Sequence, residues 1–286
     1  MTAFYVANTT IKTAPNDAND GKDRFGFAIT GGTWTASAKA LQTTGSFSGY
    51  TQAAGDIIWI SSATAGTDGW YKIASKDSDN QLTLGDLVEG SGITTDQTDV
   101  ASSTGPWATL AHANTTASTY DPIIVCDGGD YEISATLATG VAKVFIGGNE
   151  RGVLTYTNFP RIVKAGSFTG DFLVTQSGSA WNTFAYFELD GGDRSVGGIS
   201  TAATSGRSQG AKWLRVKNCG TGIYVGGGSE ASYCNVSDCN TGVELNLGAI
   251  RNSQVSHSIN GIIVTGSATQ IAVGCVVWGC SSVGLG

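Results

Sequence analysis

The segments Leu-Arg-Val-Lys-Asn-Cys-Gly-Thr-Gly-Ile (214–223) and Cys-Asn-Val-Ser-Asp-Cys-Asn-Thr-Gly-Val (234–243) are two copies of one pattern. Two further copies follow, Ser-Gln-Val-Ser-His-Ser-Ile-Asn-Gly-Ile (253–262) and Cys-Val-Val-Trp-Gly-Cys-Ser-Ser-Val-Gly (275–284). Aligning them on Val216, Val236, Val255 and Val277 gives steps of 20, 19 and 22 residues. Cys or Ser stands three residues after each valine, and Gly stands three residues further on, except in the last copy, which has Val283.

Each copy reads as a short alternating strand, a small corner residue, a glycine turn and a second strand such as 223–225 or 243–245. A fixed period near twenty residues with short strands indicates a solenoid. Helical repeats do not fit, because the copies are short, rich in Gly and β-branched residues, and alternate with period two. The Leu spacing of leucine-rich repeats is absent. We therefore predict an all-β chain built on a right-handed parallel β-helix, regular from Trp213 onward, with stacked cysteines inside it.

The pattern continues upstream with less regularity. Residues 144–148 and 184–192, the latter followed by Gly198-Ile199, are predicted to belong to earlier coils, whereas 152–180 is apolar but has no clear phase. One coil adds about 4.8 Å of height, the spacing of hydrogen-bonded strands.

Composition agrees with this fold and excludes several functions. The 286 residues include 41 Gly and only 4 Pro, and 14% are charged. The net charge of −7 and the lack of a basic stripe argue against binding nucleic acid. The first residues lack a signal peptide's pattern and no run suits a membrane span, which predicts a protein made in the cytosol without membrane insertion. The chain has six cysteines, none in a CxxC pair, and two histidines. We therefore predict no disulfides, no metal site and no cofactor.

The stretches 105–113 (Gly-Pro-Trp-Ala-Thr-Leu-Ala-His-Ala) and 123–131 (Ile-Ile-Val-Cys-Asp-Gly-Gly-Asp-Tyr) resemble the opening of the pectate lyase-like β-helix superfamily. In that family a Pro-Trp/Phe-x-Thr-Ile/Leu-x-x-Ala segment forms a short helix that caps the first coil. Trp107, Leu110 and Ala113 would form the apolar face of this cap. The family often places a strand and an Asn-Asp-Gly loop just before the cap, and this chain has both, at 4–6 and 16–21.

About eighty residues separate that loop from the cap, which predicts an inserted β domain. We expect an N-terminal strand and loop in 1–23, the small inserted β domain and its linker in 24–104, and the β-helix with its cap helix in 105–286. The stretches 55–60, 69–76 and 79–84 read as three strands of a meander or small barrel, and the polar stretch 91–104 reads as a linker.

Enzymes of the resembled superfamily carry clusters of Asp, Glu, Arg or Lys on one outer face. The richest group here is Glu188, Asp190, Asp193 and Arg194. Glu188 and Asp190 share one face of a strand, but the next coil offers Arg215 and Lys217 there, and cross-coil ion pairs are the favoured interpretation. No catalytic residue is therefore assigned.

Other candidates are also better explained by structure than by chemistry. The loop 17–23 (Asp-Ala-Asn-Asp-Gly-Lys-Asp) lacks the ligand spacing of a calcium loop and indicates an Asx-rich turn. His112 is predicted on the cap helix and His257 at a coil corner. Tyr224, Trp181 and Trp278 could stack on sugars, but an outward aromatic ladder or a subunit contact would explain them equally, so no carbohydrate-binding residue is assigned.

The resemblance is to β-helices of the kind found in phage tailspike and tail fibre proteins. It implies a virion structural protein, a homotrimer bound to other virion proteins and acting in host-surface attachment. The alternatives are a polysaccharide lyase or glycoside hydrolase, and a non-catalytic adhesin that binds a surface polysaccharide. The last repeat lacks a polar closing turn, which predicts either a neighbour over the open end or a longer protein.

Overall fold

The computed structural model describes residues 3–8, 13–140, 142–149, 158–178, 182–203, 210–266 and 270–282. Nearly all the regular structure in these ranges is β-strand, with a single helix, α1 (Leu110–Thr116). The strands before the helix are β1 (Phe4–Val6), β2 (Gly32–Thr35), β3 (Ala40–Gln42), β4 (Ile57–Ser62), β5 (Thr67–Ser78), β6 (Gln81–Gly90) and β7 (Gln97–Ser102).

The strands after the helix are β8 (Pro122–Cys126), β9 (Asp130–Thr139), β10 (Val144–Gly148), β11 (Arg161–Gly178), β12 (Thr183–Ala185), β13 (Glu188–Asp190), β14 (Gly197–Ala203), β15 (Gly210–Lys212), β16 (Arg215–Lys217), β17 (Thr221–Gly226), β18 (Glu230–Ser232), β19 (Asn235–Ser237), β20 (Thr241–Asn246), β21 (Ala249–Arg251), β22 (Gln254–Ser256), β23 (Asn260–Val264), β24 (Ile271–Val273) and β25 (Val276–Trp278).

These later strands stack in parallel as a β-helix, which confirms the predicted fold. The first face is the eight-stranded sheet β1-β8-β10-β12-β15-β18-β21-β24. The second face runs β13-β16-β19-β22-β25 and the third β14-β17-β20-β23. The long strands β9 and β11 turn from the second face onto the third, because they pair through both of their halves. In the described residues the chain makes six coils and begins a seventh.

The repeat alignment corresponds to the observed register. Val216, Val236, Val255 and Val277 pair in order along the second face. The repeated glycines are required by close packing between coils. A Cβ on Gly222, Gly242 or Gly261 would lie 2.4, 2.2 or 2.6 Å from the Cγ1 of the aligned valine in the next coil. Val283, the exception in the last copy, lies outside the described residues.

Cysteine and serine occupy equivalent positions in successive coils at two corners, and both side chains bond back to the main chain. Cys239 Sγ donates to the Ser237 carbonyl at 3.2 Å, and Ser258 Oγ, one coil on, donates to the Ser256 carbonyl at 3.2 Å. At the other corner Cys234 Sγ donates to the Ser232 carbonyl at 3.4 Å. Burial raises the pKa of the Cys234 thiol to about 12, so it keeps its proton. The cysteines of both corners are free thiols.

The first coil is capped as the motifs predicted, although Trp107 precedes the helix. Thr109 is the N-cap of α1, and its hydroxyl accepts from the His112 N–H at 3.1 Å. Leu110 and Ala113 are buried, and Trp107 is 2% exposed. Trp107 stacks on Phe4 of β1 with ring centroids 4.8 Å apart. β1 in turn pairs in parallel with β8, so the N-terminal strand extends the first face.

Strands β2 to β7 form a closed barrel in the order β2-β3-β6-β5-β4-β7. The three strands expected between 55 and 84 are present as β4, β5 and β6. The expectation of a linker over 91–104 was wrong, because Gln97–Ser102 forms β7 and closes the barrel between β2 and β4. Val100 is fully buried and Ser102 is 7% exposed, so one of the two buried residues of β7 is polar. Asp99 accepts from Ser62 Oγ at 2.7 Å and thereby bonds β7 to β4.

The chain enters and leaves the barrel at one place. The Gly21 N–H donates to the Gly105 carbonyl at 3.0 Å, and the Asp23 N–H donates to Ser103 Oγ at 3.2 Å. The Asp23 carboxylate is fully buried and accepts from the Phe25 and Gly26 N–H groups at 2.9 and 2.7 Å. Burial outweighs these bonds and raises the pKa of Asp23 to about 7.

Candidate functional site

The outer side of the second face carries alternating charges in two columns. Asp130, Arg161, Glu188 and Arg215 follow one another in one column, and Asp190 and Lys217 stand beside Glu188 and Arg215 in the other. Alternation along each strand turns these side chains outward, because the residues between them point into the core. Opposite charges in neighbouring coils are thus within reach of one another.

The predicted cross-coil ion pairs form at Lys217. Its Nζ lies 2.6 Å from Glu188 Oε1 and 3.6 Å from Asp190 Oδ2. The hydrogen bond that Lys217 donates to Glu188 raises the pKa of Lys217 above its usual value. Arg215 makes a different contact, because its guanidinium lies over the Phe159 ring, 4.6 Å from the centroid. Glu188 and Asp190 therefore serve as the acidic partners of Lys217.

Asp193 and Arg194 do not join that group. Asp193 pairs with Lys164 at 2.7 Å, and hydrogen bonds from Lys164 and Ser195 hold the pKa of Asp193 well below its usual range. Arg194 has a left-handed backbone (φ 62°), and its N–H donates to the Asn218 carbonyl at 2.9 Å. The four residues of the sequence candidate are thus divided between separate contacts.

The loop before the cap has a structural role, as predicted. Asn16 Oδ1 accepts from the Ala18 N–H at 2.9 Å, which closes an Asx turn. Asp17 Oδ1 accepts from the Ala108 and Thr109 N–H groups at 3.0 and 2.9 Å, and Oδ2 accepts from Thr109 Oγ1 at 2.7 Å. Asp17 therefore binds the loop before the barrel to the cap segment that follows the barrel in sequence. Among the described residues no cluster of three or more His, Cys, Asp or Glu is placed to hold a metal ion.

The remaining sequence candidates lie apart from one another. His112 is on α1 with its ring edge toward Trp107, and His257 is at a coil corner against Trp278. Tyr224 is half-buried and its hydroxyl accepts from Asn246 Nδ2 at 3.0 Å. Trp278 is 52% exposed, and Trp181 lies outside the described residues.

An aromatic stack on an outer corner was not found from the sequence. The rings of Tyr186 and Trp213 are parallel within 10° with centroids 4.9 Å apart, and those of Trp213 and Tyr233 are parallel within 8° at 5.3 Å. The three residues follow the first-face strands β12, β15 and β18 in successive coils. Exposure rises along the stack, from 9% for Tyr186 to 36% for Trp213 and 51% for Tyr233. We call Tyr186, Trp213 and Tyr233 the aromatic corner.

The backbone of the aromatic corner is unusual. All three residues have left-handed φ angles, 65° for Tyr186, 50° for Trp213 and 57° for Tyr233. The next two coils place Asn252 and Gly274 in the same conformation, which are residue types that adopt it readily. A bulky residue there costs roughly 1–2 kcal/mol, whereas a stacked ring pair contributes about 0.5–1.5 kcal/mol beyond area burial. Two stacked ring pairs therefore offset part of the strain of three left-handed residues.

The described residues also contain a cleft of about 360 Å³ between α1 and β9, lined by Thr109, Leu110, Asp130 and Glu132 among others. Asp130 in this cleft is paired with Arg161 at 2.7 Å. None of the described helical structure has the length and apolar character needed to span a bilayer.

No protein-family model matches the chain, and no curated protein matches it in sequence. Among solved structures, it is similar to the crystal structure of the tailspike protein gp49 from Pseudomonas phage LKA1. The two are 12% identical, with a TM-score of 0.25 over 87% of this chain. The matched part is 46% of the phage protein, so this chain spans less than half of that protein's length.

Proposed function

We propose that the chain is a virion structural protein of a tailed phage, a tail fibre, tailspike or capsid-attached appendage whose shaft is a β-helix of the pectate lyase-like kind. It acts in host-surface attachment, is made in the host cytoplasm and assembles as a homotrimer with other virion proteins. In this proposal residues 1–23 begin the shaft, 24–104 form a separate barrel domain, and 105–286 form the capped shaft.

The observation that carries the proposal is the stack of coils with free thiols at its corners. Each coil contacts only its neighbours, so adding coils lengthens the molecule in one direction and makes a shaft. The corner cysteines use their protons to bond main-chain carbonyls two residues earlier. Buried free thiols of this kind are typical of proteins that fold in a reducing cytosol, where phage particles are assembled.

The test is detection of the chain in purified phage particles by mass spectrometry, followed by localisation with gold-labelled antibodies. Labelling of an appendage is the expected result. The chain present in the infected-cell lysate but missing from purified particles would contradict the proposal.

The trimer has a separate test, the mass in solution measured by analytical ultracentrifugation. Three chains per particle are expected over a range of concentrations. A mass of one chain at every concentration would remove the trimer and leave the virion assignment standing.

A further inference from the structure

The aromatic corner ends in an open ring face. Trp213 covers one side of the Tyr233 ring. The next coil places Asn252 at the equivalent position, and a Cβ on Gly274 would lie 2.4 Å from Asn252 Oδ1. The Asn252 side chain is therefore turned toward Gly274, away from Tyr233. The outer face of Tyr233 remains accessible, in agreement with its 51% exposure.

Unused polar side chains stand beside that face. Asn235 and Gln254 are exposed and pair in register on adjacent strands of the second face. Arg215 precedes them in the same column, but its guanidinium already lies over the Phe159 ring. The Asn235 and Gln254 amides make no hydrogen bond to any part of the chain that the structure describes, so each offers donors and an acceptor to a ligand.

This combination fits a sugar ring better than other ligands. A pyranose has an apolar face of C–H groups that packs on an aromatic ring, and hydroxyls at its rim that bond planar amide and guanidinium groups. A nucleic acid would need several unpaired cations, but the nearby Lys217 is already paired with Glu188. Spacing of the polar column by one coil, about 4.8 Å, suits a ligand that extends along the shaft.

We infer that the open face of Tyr233, whose other face is held by Trp213, forms with Asn235 and Gln254 a binding site for a polysaccharide built of pyranose rings. The inference deepens the proposed function, since it names the ligand by which the shaft would contact a host surface. It requires no cleavage of the ligand.

The experiment titrates the full chain with methyl glycosides of glucose, galactose, mannose and N-acetylglucosamine, and with purified bacterial O-polysaccharides. Indole fluorescence and ligand saturation-transfer NMR report binding. Tyr233→Ala is expected to weaken binding by about tenfold or more, and Asn235→Ala with Gln254→Ala by a similar factor. Tyr233→Phe, which keeps the ring, is expected to retain most of the affinity.

Tyr120→Ala is the matched control, because Tyr120 is an aromatic of similar exposure (47%) that lies just before β8, four coils away from Tyr233. Its affinity should equal that of the parent chain, and circular dichroism should show that every variant is folded. Equal loss in Tyr120→Ala, or no response to any glycoside or polysaccharide that depends on Tyr233, overturns the inference. So does a change of mass in solution on Tyr233→Ala, which would make the corner a subunit contact.

The two proposals fail separately. A chain that binds glycans through Tyr233 but is missing from particles refutes only the virion role. A chain present in particles that ignores the glycans refutes only the glycan site.

Discussion

Replacing Gly242 by alanine tests whether contact between coils determines the repeat. The new Cβ would lie 2.2 Å from Val255 Cγ1 and 2.8 Å from the Gly261 carbonyl oxygen. Both distances are below any real Cβ contact, so the two coils must separate locally. Overpacking of this kind costs roughly 1–3 kcal/mol, and we expect the upper end because one of the contacts is main chain.

The control is Gly166→Ala in strand β11. A Cβ there meets nothing within 4 Å, so alanine should be neutral or should stabilise the fold by up to roughly 1 kcal/mol. The same substitution type is thus predicted to have opposite signs at two glycines. Urea unfolding followed by circular dichroism gives the free energies, provided that refolding is reversible. Unfolding rates serve if it is not.

A double-mutant cycle identifies the partner. Val255→Ala alone should cost roughly 2 kcal/mol through the lost buried methyl groups. Combined with Gly242→Ala it removes the closest contact, so the pair should cost at least about 1 kcal/mol less than the sum of the single changes. Rescue will be partial because the Gly261 carbonyl remains. Strict additivity, or a Gly242→Ala variant as stable as Gly166→Ala, would refute the reasoning.

Three further outcomes are expected. Folding raises the pKa of Asp23 from 3.8 to about 7, so the free energy of unfolding of the parent chain should fall by up to roughly 4 kcal/mol as pH rises from about 4 to about 7. Asp23→Asn should remove this fall, and melting temperatures of both proteins that change in parallel with pH would contradict it. Asp17→Ala should lower stability by about 1–3 kcal/mol, because the Ala108 and Thr109 N–H groups lose their acceptor, whereas Asp17→Asn should retain part of that stability. Thermal melting measures both, and equal melting temperatures for all three proteins would exclude this role. Cys239→Ser should stay within about 1 kcal/mol of the parent in urea unfolding, because Ser258 donates the same hydrogen bond to a carbonyl two residues earlier in the next coil. Cys239→Val cannot donate this hydrogen bond and should lose more stability; the reverse order would show that the hydrogen bond is unimportant.

The coils could be predicted from the sequence because their contacts repeat. Val236 packs over Gly222 in the same way that Val255 packs over Gly242. A repeated local pattern in the sequence therefore predicts which residues of successive coils lie opposite each other. The coils of β9 and β11 lacked this pattern, since both strands continue from one face to the next with shifts of register. A continuous strand has no corner residue to mark its phase.

The remaining errors have similar causes. Strand β7 was missed because Val100 is its one buried apolar residue, while Asp99 and Ser102 join it to the rest of the barrel through hydrogen bonds. The charge match between the two coils could be predicted, but register places Lys217 opposite Asp190, whereas its shorter contact is diagonal, to Glu188. The aromatic corner was missed because left-handed turn positions normally carry Gly or Asn. Trp213 and Tyr233 do stand three residues before the repeated Val216 and Val236, and that spacing was the available signal.

The meeting of Gly21 with Gly105 has a bearing on how such a chain can change over evolutionary time. Because the two residues flanking the barrel are hydrogen-bonded to each other, the gap that the insertion must bridge is no wider than a tight turn. A different insert can be joined at the same two residues, provided that it covers Tyr5 and Cys126, against which Ile57 of the barrel packs. The barrel is then an exchangeable domain, and the Asp17 loop, which binds the cap segment, keeps the end of the shaft folded when the insert changes.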